Sequence, residues 1–303
     1  MHKSNIAPQV EVIISLYNYQ DYIVQCVESV LKQSYVNIVV SVIDDGSSDN
    51  SVTILKNTFS VSSRLKLITQ DNQGQLGAFN TGFENLDDKS EIVLFLDADD
   101  YMQPEYVAHI VEEFQSRCCD YIFSDPKILN MSSNVFQASQ NSCFAYGDLY
   151  FGIFHTYYLH AYYGNSTSCI AITRTTLAKI LPLRDLQTKW RIRADDCIIY
   201  GAALVGARMY HTHYDGVVYR VHDTNNYCGK SFDSSYEFSR TLVVQELFDR
   251  IICKNSIFLT YSVFIQEFIL APKPKKYTYL KILSVCNFTF TQKIRAFFKI
   301  ILS

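Results

Sequence analysis

Over residues 9–124, short runs rich in Val, Ile and Leu alternate with segments whose apolar residues recur every three or four positions. Val10–Ser15, Ile38–Ile43, Leu65–Thr69, Ile92–Leu96 and Tyr121–Ser124 read as buried strands. Between them, Ile23, Val27, Val30 and Leu31 mark one helical face, and Val52, Leu55 and Phe59 another. Ala78–Leu86 reads as a third helix. A fourth carries Val107, Ile110, Val111 and Phe114, with Pro104 fitting its first turn. Strand–helix alternation predicts an α/β fold with a mostly parallel sheet flanked by helices. Polar clusters fall at the C-terminal ends of the strands, the edge where open α/β sheets bind ligands.

After about residue 125 the pattern is less regular. Asn130–Asn141 reads as a polar loop, Cys169–Thr173 and Val217–Val221 as strands, and Leu177–Leu181 as a helical turn. A helix is expected from Asp195-Asp196 through Leu204, stopped by Gly206. From Arg240 onward the spacing of Val243, Leu247 and Ile251 is helical.

Three acidic clusters carry the candidate chemistry. Asp44-Asp45-Gly46-Ser47-Ser48-Asp49 follows a strand; a plain turn with Asp49 or Asn50 as helix cap is the structural alternative. Asp97-Ala98-Asp99-Asp100 follows another strand, and three carboxylates in four residues repel one another. A divalent cation relieves that repulsion, while a solvated loop is the alternative. Asp195-Asp196 follows Trp190-Arg191-Ile192-Arg193, and favourable placement at a helix N-terminus accounts for it without any chemistry.

Taken in order, Val10–Asn18 (VEVIISLYN), Asp44–Asp49 (DDGSSD), Asn72–Gly82 (NQGQLGAFNTG) and Phe95–Asp100 (FLDADD) resemble the N-terminal half of family 2 nucleotide-sugar glycosyltransferases, of GT-A fold. The resemblance is close over residues 8–125 and extends through Asp195-Asp196 and Val218–His222 (VYRVH) to about residue 230. It implies a Rossmann-like GT-A domain over residues 1–230, with a nucleotide-sugar half at 1–125 and an acceptor half at 126–230. A helical C-terminal extension follows at 231–303.

What the resemblance implies for single residues is specific. Ser15 and Tyr17 would line the nucleotide pocket. Asp45 would accept from a uracil or thymine imide N–H or a guanine N–H, but not from the acceptor-only N3 of cytosine; a UDP-sugar is the favoured donor. Asn72 and Gly74 to Asn80 would form the loop near ribose and diphosphate. Asp97 and Asp99 match the DxD motif: Asp97 would touch the ribose, and Asp99, with His222, would hold Mg²⁺ or Mn²⁺ beside the diphosphate. Asp195-Asp196 matches a Glu-Asp pair that supplies the base, with Asp196 favoured. The implied reaction moves one sugar to an acceptor hydroxyl with inversion, as in assembly of a surface polysaccharide or glycolipid. A saccharide or lipid-linked saccharide is then the acceptor. Gln187–Arg191 (QTKWR) lacks the order of the processive synthases' Gln-x-x-Arg-Trp, so a cellulose- or hyaluronan-type synthase is not expected. The competing readings are a sugar-phosphate nucleotidyltransferase, disfavoured because Ser15–Tyr19 lacks Gly and Lys, and a non-catalytic carbohydrate-binding protein.

Composition bounds the rest. The 303 residues allow one large or two modest domains, and 48% hydrophobic against 19% charged residues is a globular balance. A net charge of −3 argues against a nucleic-acid partner. Nine scattered cysteines without a CxxC point to a reducing, cytoplasmic setting. Met1–Pro8 is polar, so no secretory signal is expected, and no apolar stretch is long enough to span a membrane. The longest, Ile257–Ala271, is broken by Gln266 and Glu267. Residues 272–303 hold seven Lys/Arg and no Asp or Glu, leaving −10 for the preceding part (20 basic against 30 acidic). With Ile294, Phe297, Phe298, Ile301 and Leu302 on one helical face, this basic tail suits either the anionic, cytoplasmic face of a membrane or packing on protein.

Overall fold

The Val- and Ile-rich runs form strands whose two faces both need apolar cover, which is why they read as near-continuous hydrophobic stretches. In the computed structural model, which describes residues 7–138, 145–150, 152–223, 225, 233–271 and 274–303, the chain begins β1 (Gln9–Leu16), α1 (Ile23–Leu31), β2 (Ile38–Asp44), α2 (Ser51–Thr58), β3 (Leu65–Thr69), α3 (Gln75–Glu84) and β4 (Ser90–Asp97). A two-residue β5 (Tyr101–Met102), α4 (Tyr106–Arg117) and β6 (Tyr121–Phe123) complete the regular half. Most of Met1–Pro8, and Pro272-Lys273 of the basic tail, lie outside the described residues.

The second half adds β7 (Lys127–Asn130), β8 (Val135–Ala138), β9 (Gly147–Tyr150), α5 (Ile153–Leu159), β10 (Ile170–Thr173), α6 (Arg174–Ile180), α7 (Asp195–Leu204), β11 (Met209–His211) and β12 (Val217–Val221). The polar segment expected as a loop from Asn130 is partly strand: β8 pairs antiparallel with β7, and residues 139–141 lie outside the described residues. Four helices follow: α8 (Ser234–Lys254), α9 (Tyr261–Leu270), α10 (Lys276–Val285) and α11 (Phe290–Leu302).

The main sheet has the order β3-β2-β1-β4-β10-β6-β11-β9. β3, β2, β1 and β4 are mutually parallel, β10 runs against both β4 and β6, and β9 runs against β11. A second sheet, β5-β12-β7-β8, stands beside it. Alternation along β1 feeds two cores: Ile13 joins Phe79, Phe95 and the α7 and α8 side chains, while Val12 and Ile14 join α1 and α4 on the other face. Glu11, at the centre of β1, is fully buried yet satisfied by the hydroxyls of Ser41 and Ser90 (2.6 Å each), the Asp87 N–H (2.8 Å) and Lys66 Nζ (3.2 Å).

Parallel register brings the strand ends level: Ser15 sits opposite Asp97, and Leu16 opposite Asp44. The polar clusters therefore converge on one edge. α8 shares the sheet's core through Val244, Leu247, Phe248 and Ile251, whereas α9–α11 build a separate core with α5 around Phe154, Phe264, Phe268 and Tyr279.

Candidate functional site

At that edge lies a cleft of about 1090 Å³. Ser15, Tyr17, Asp45, Asn72, Gly74, Asp97, Asp99, Asp195 and Asp196 all line it, drawn from five separated stretches of sequence. Asn80 does not. It is buried on α3, where its Oδ1 accepts from the Leu183 N–H (2.9 Å). The helical periodicity of α3 turns position 80 toward the interior, although the loop that precedes it does reach the cleft.

Asp45 organises that loop. Its Oδ1 accepts from Gln70 Nε2 (2.7 Å) and the Gln73 N–H (2.8 Å), and its Oδ2 from the Gly74 N–H (2.7 Å). A carboxylate offers about four lone-pair positions, so one remains for a ligand donor. Gly74 has φ +83°, and a Cβ there would fall 2.5 Å from the Arg191 Cα, so no other residue fits this approach. Next to it, the Gln75 N–H donates to the Arg191 carbonyl (2.9 Å) and Arg191 donates to the Asn72 Oδ1.

β4 ends at Asp97, and a turn at Ala98-Asp99, closed by the Asp100 N–H donating to the Asp97 carbonyl (3.0 Å), sets the Asp97 and Asp99 carboxylates in the cleft while Asp100 is buried. Asp97 Oδ1 accepts from Ser15 Oγ and Gln75 Nε2, both 3.0 Å away. Burial, with the Asp99 charge beside it, raises the Asp97 carboxyl to about 7. Asp99 Oδ2 meets His222 Nε2 (3.1 Å) and Asn225 Nδ2 (3.2 Å). Tyr19, also in the cleft, is hydrogen-bonded to Asp99, and burial together with the Asp99 and Asp97 charges keeps its hydroxyl protonated. Tyr22 stacks on His222 with ring centroids 4.8 Å apart. Asp100 is fully buried and structural, accepting from Ser168 Oγ (2.6 Å) and the Arg220 N–H (3.0 Å). The buried Arg220 guanidinium, lying over Tyr101, donates to the Asp99 carbonyl.

The two carboxylates at the start of α7 differ. Both guanidiniums near Asp196 take the same oxygen, Oδ2: Arg240 at 2.7 Å and Arg193 at 3.0 Å. Tyr162 is hydrogen-bonded to the same carboxylate. Arg193 holds a left-handed backbone (φ +59°), which is uncommon for a residue with a Cβ, and Arg240 packs over Trp190 at 3.6 Å. Burial raises the Asp195 carboxyl well above the usual range, with Asp196 and Asp97 adding and Arg193 opposing. Arg240, Asn225 and Tyr19 are thus site residues beyond those read from the sequence, whereas Gln75 falls within the 74–80 loop read there. Asn225 had a nearby signal, three positions after His222.

The family described as Glycosyl transferase family 2 matches residues 11–181. The protein named Uncharacterized glycosyltransferase alr2836, from Nostoc sp., is 34% identical over 235 residues, covering 77% of this chain and 71% of that protein. Hyaluronan synthase of Pasteurella multocida is 32% identical over 110 residues, 36% of this chain but only 11% of that protein. Among solved structures, S. aureus TarS 1-349 in complex with UDP-GlcNAc aligns with a TM-score of 0.57 at 16% identity, covering 97% of this chain and 71% of that one. The mannosyltransferase PcManGT of Pyrobaculum calidifontis, in complex with GDP-Man and Mn²⁺, gives the same TM-score and identity, covering 98% and 81%. No helix among the described residues is long and apolar enough to cross a membrane.

Proposed function

The chain belongs to glycosyltransferase family 2 and has its GT-A fold, and on that premise we propose that it transfers one sugar from a nucleoside-diphosphate sugar to an acceptor hydroxyl, with inversion at the anomeric carbon. The observation that carries this is the convergence of Asp45, Asp97, Asp99, Asp195 and Asp196 on one cleft. A UDP-sugar is the favoured donor: the spare acceptor position of Asp45 suits an imide N–H, and the TarS neighbour is solved with UDP-GlcNAc. Ser15 and Gln75 orient Asp97 for the ribose.

The donor set fits a hard divalent cation. Asp99 offers a carboxylate oxygen on the cleft wall. His222, whose side chain is buried behind it and does not itself line the cleft, offers an imidazole nitrogen 3.1 Å from that oxygen. The repulsion among the carboxylates of residues 97–100 favours added positive charge. Asp99 and His222 would hold Mg²⁺ or Mn²⁺, which would neutralise charge on the departing nucleoside diphosphate. The Mn²⁺ in the PcManGT neighbour supports this.

Proton removal falls to the pair at the start of α7. The resemblance favoured Asp196, but two arginines fix that carboxylate on one oxygen and it is buried, whereas Asp195 is the more open of the two to the cleft. Asp195 is therefore assigned as the base that takes the acceptor proton, and Asp196 as the residue that positions it. The acceptor is a saccharide, free or lipid-linked, in surface polysaccharide or glycolipid assembly.

The test is titration and turnover of a nucleotide-sugar panel with and without Mn²⁺. One donor should bind in the presence of metal, Asp99→Ala should abolish that binding, and Asp195→Asn should bind donor yet lose roughly 10²–10⁴-fold in turnover. Should Asp196→Asn stop turnover while Asp195→Asn stays within several-fold, the two roles are exchanged. Absence of any donor binding would remove the transferase reading.

A further inference from the structure

α11 has two apolar faces, and only one is used. Ala296 and Ile300 point into the core that α9, α10 and α5 share. Phe290, Ile294, Phe297, Phe298 and Ile301 form a continuous stripe on the opposite side, each between 42% and 80% exposed. At about 100° per residue these five fall within roughly a quarter to a third of the helix circumference. Lys293 lies along one border of the stripe, and Arg295 and Lys299 along the other. A capping box at Thr289 and Gln292 fixes where the helix starts, so the stripe is preformed.

We propose that this outer face of α11 docks the protein on an anionic lipid bilayer, with the phenylalanines entering the boundary between headgroups and acyl chains and the cations meeting lipid phosphates. Charge selects this occupant. Residues 272–303 carry seven basic and no acidic side chains, while the rest of the chain is strongly acidic, so an anionic surface attracts the tail and repels the remainder. That asymmetry also orients the molecule tail-down. A second copy pairing through the same stripe would bring two rows of Lys and Arg together, which disfavours it. Lys276 and Lys293 brace the unit from within, donating to the Ile301 carbonyl (3.1 Å) and the Ser284 carbonyl (3.2 Å), so the face is presented on a fixed scaffold.

This inference stands apart from the donor assignment, and its test keeps the two separate. The full chain is sedimented with vesicles of phosphatidylcholine alone or mixed with phosphatidylglycerol, and donor binding is measured in parallel without vesicles. The wild type should pellet only with the anionic vesicles. Joint Phe297→Ser and Phe298→Ser should lower partitioning at least about tenfold, and Arg295→Gln or Lys299→Gln about fivefold each. None of these changes should alter donor binding, because none of these residues lines the cleft. A wild type that stays in the supernatant with anionic vesicles overturns the proposal. So does a double Phe variant that pellets like the wild type, or a wild-type dimer that this variant converts to monomer. Vesicle binding without donor binding would instead sink the transferase reading and leave this one standing.

Discussion

At the scale of single residues, the site is decided by which way a side chain points. Asp97, Asp99 and Asp100 look equivalent in sequence, but only the first two line the cleft, while Asp100 is buried against Ser168 and Arg220. The cluster was legible because it directly follows an apolar strand, but the turn at Ala98-Asp99, closed by the Asp100 N–H on the Asp97 carbonyl, and not strand alternation, aims the side chains. The unequal setting of Asp195 and Asp196 was not, since Arg240 reaches Asp196 from 44 positions away. Asn80 shows the converse: it lies within a motif that serves the site, yet it serves the fold. Asn80→Ala should leave donor affinity unchanged and cost about 1–3 kcal/mol in chemical denaturation, because the Leu183 N–H loses its buried acceptor. A raised donor KM with unaltered stability would return Asn80 to the nucleotide site.

At the scale of elements, every strand and helix of the first 124 residues except β5 was legible, because each has a clear period of 2 or 3.6 or a fully apolar run. β5, β9 and β11 are two to four residues long and take their conformation from neighbours, so local pattern carries little signal for them. α5 has only seven residues, IFHTYYL, and lacks a side-chain cap of its own. Its cap comes from α9: Glu267 is buried and accepts from the Phe154 N–H (2.8 Å) and the His155 N–H (3.3 Å). Burial raises this carboxyl to about 7, from an ordinary 4.5, despite those backbone donors. Burial, with Lys275 nearby, pushes the His155 imidazole down to about 4 from 6.5.

Between pH 4.5 and 6.5 the folded pair therefore holds its proton on Glu267, and the unfolded chain holds it on His155. The counts are equal, so the pair adds no slope to stability there. Glu267 alone contributes stability that is full below its unfolded pKa and is lost as pH rises through its folded one. His155 alone does the opposite, its contribution being lost as pH falls toward 4. Glu267→Gln should consequently gain stability relative to wild type as pH rises from about 4.5 to 7, by up to about 3 kcal/mol, in denaturant titrations across that range. A difference between the two proteins that is flat in pH would mean that Glu267 is already ionised in the fold.

At the scale of the whole molecule, the sheet brings together stretches nearly 200 residues apart, from Ser15 to Asp196, into one acidic cleft. On the proposed reading, the carboxylates of that cleft, which Arg191 and Arg193 also line, favour a diphosphate that arrives with a cation, and Asp99 and His222 would hold that cation. Donor and metal should therefore bind as a thermodynamic pair, each raising the affinity for the other by the same factor. Thermal unfolding measured in EDTA, with Mn²⁺, with UDP, and with both separates the cases. Either ligand alone should shift the midpoint little. Together, at ~100 times the joint dissociation constant, they should add about 2.7 kcal/mol, a shift of several degrees for a chain of this size. Asp99→Ala should remove the joint shift and leave the unliganded midpoint equal or higher, because it deletes one of the mutually repelling carboxylates. If UDP in EDTA already produced the full shift, the donor would be held without a cation, and the contact of Asp99 with His222 would be structural.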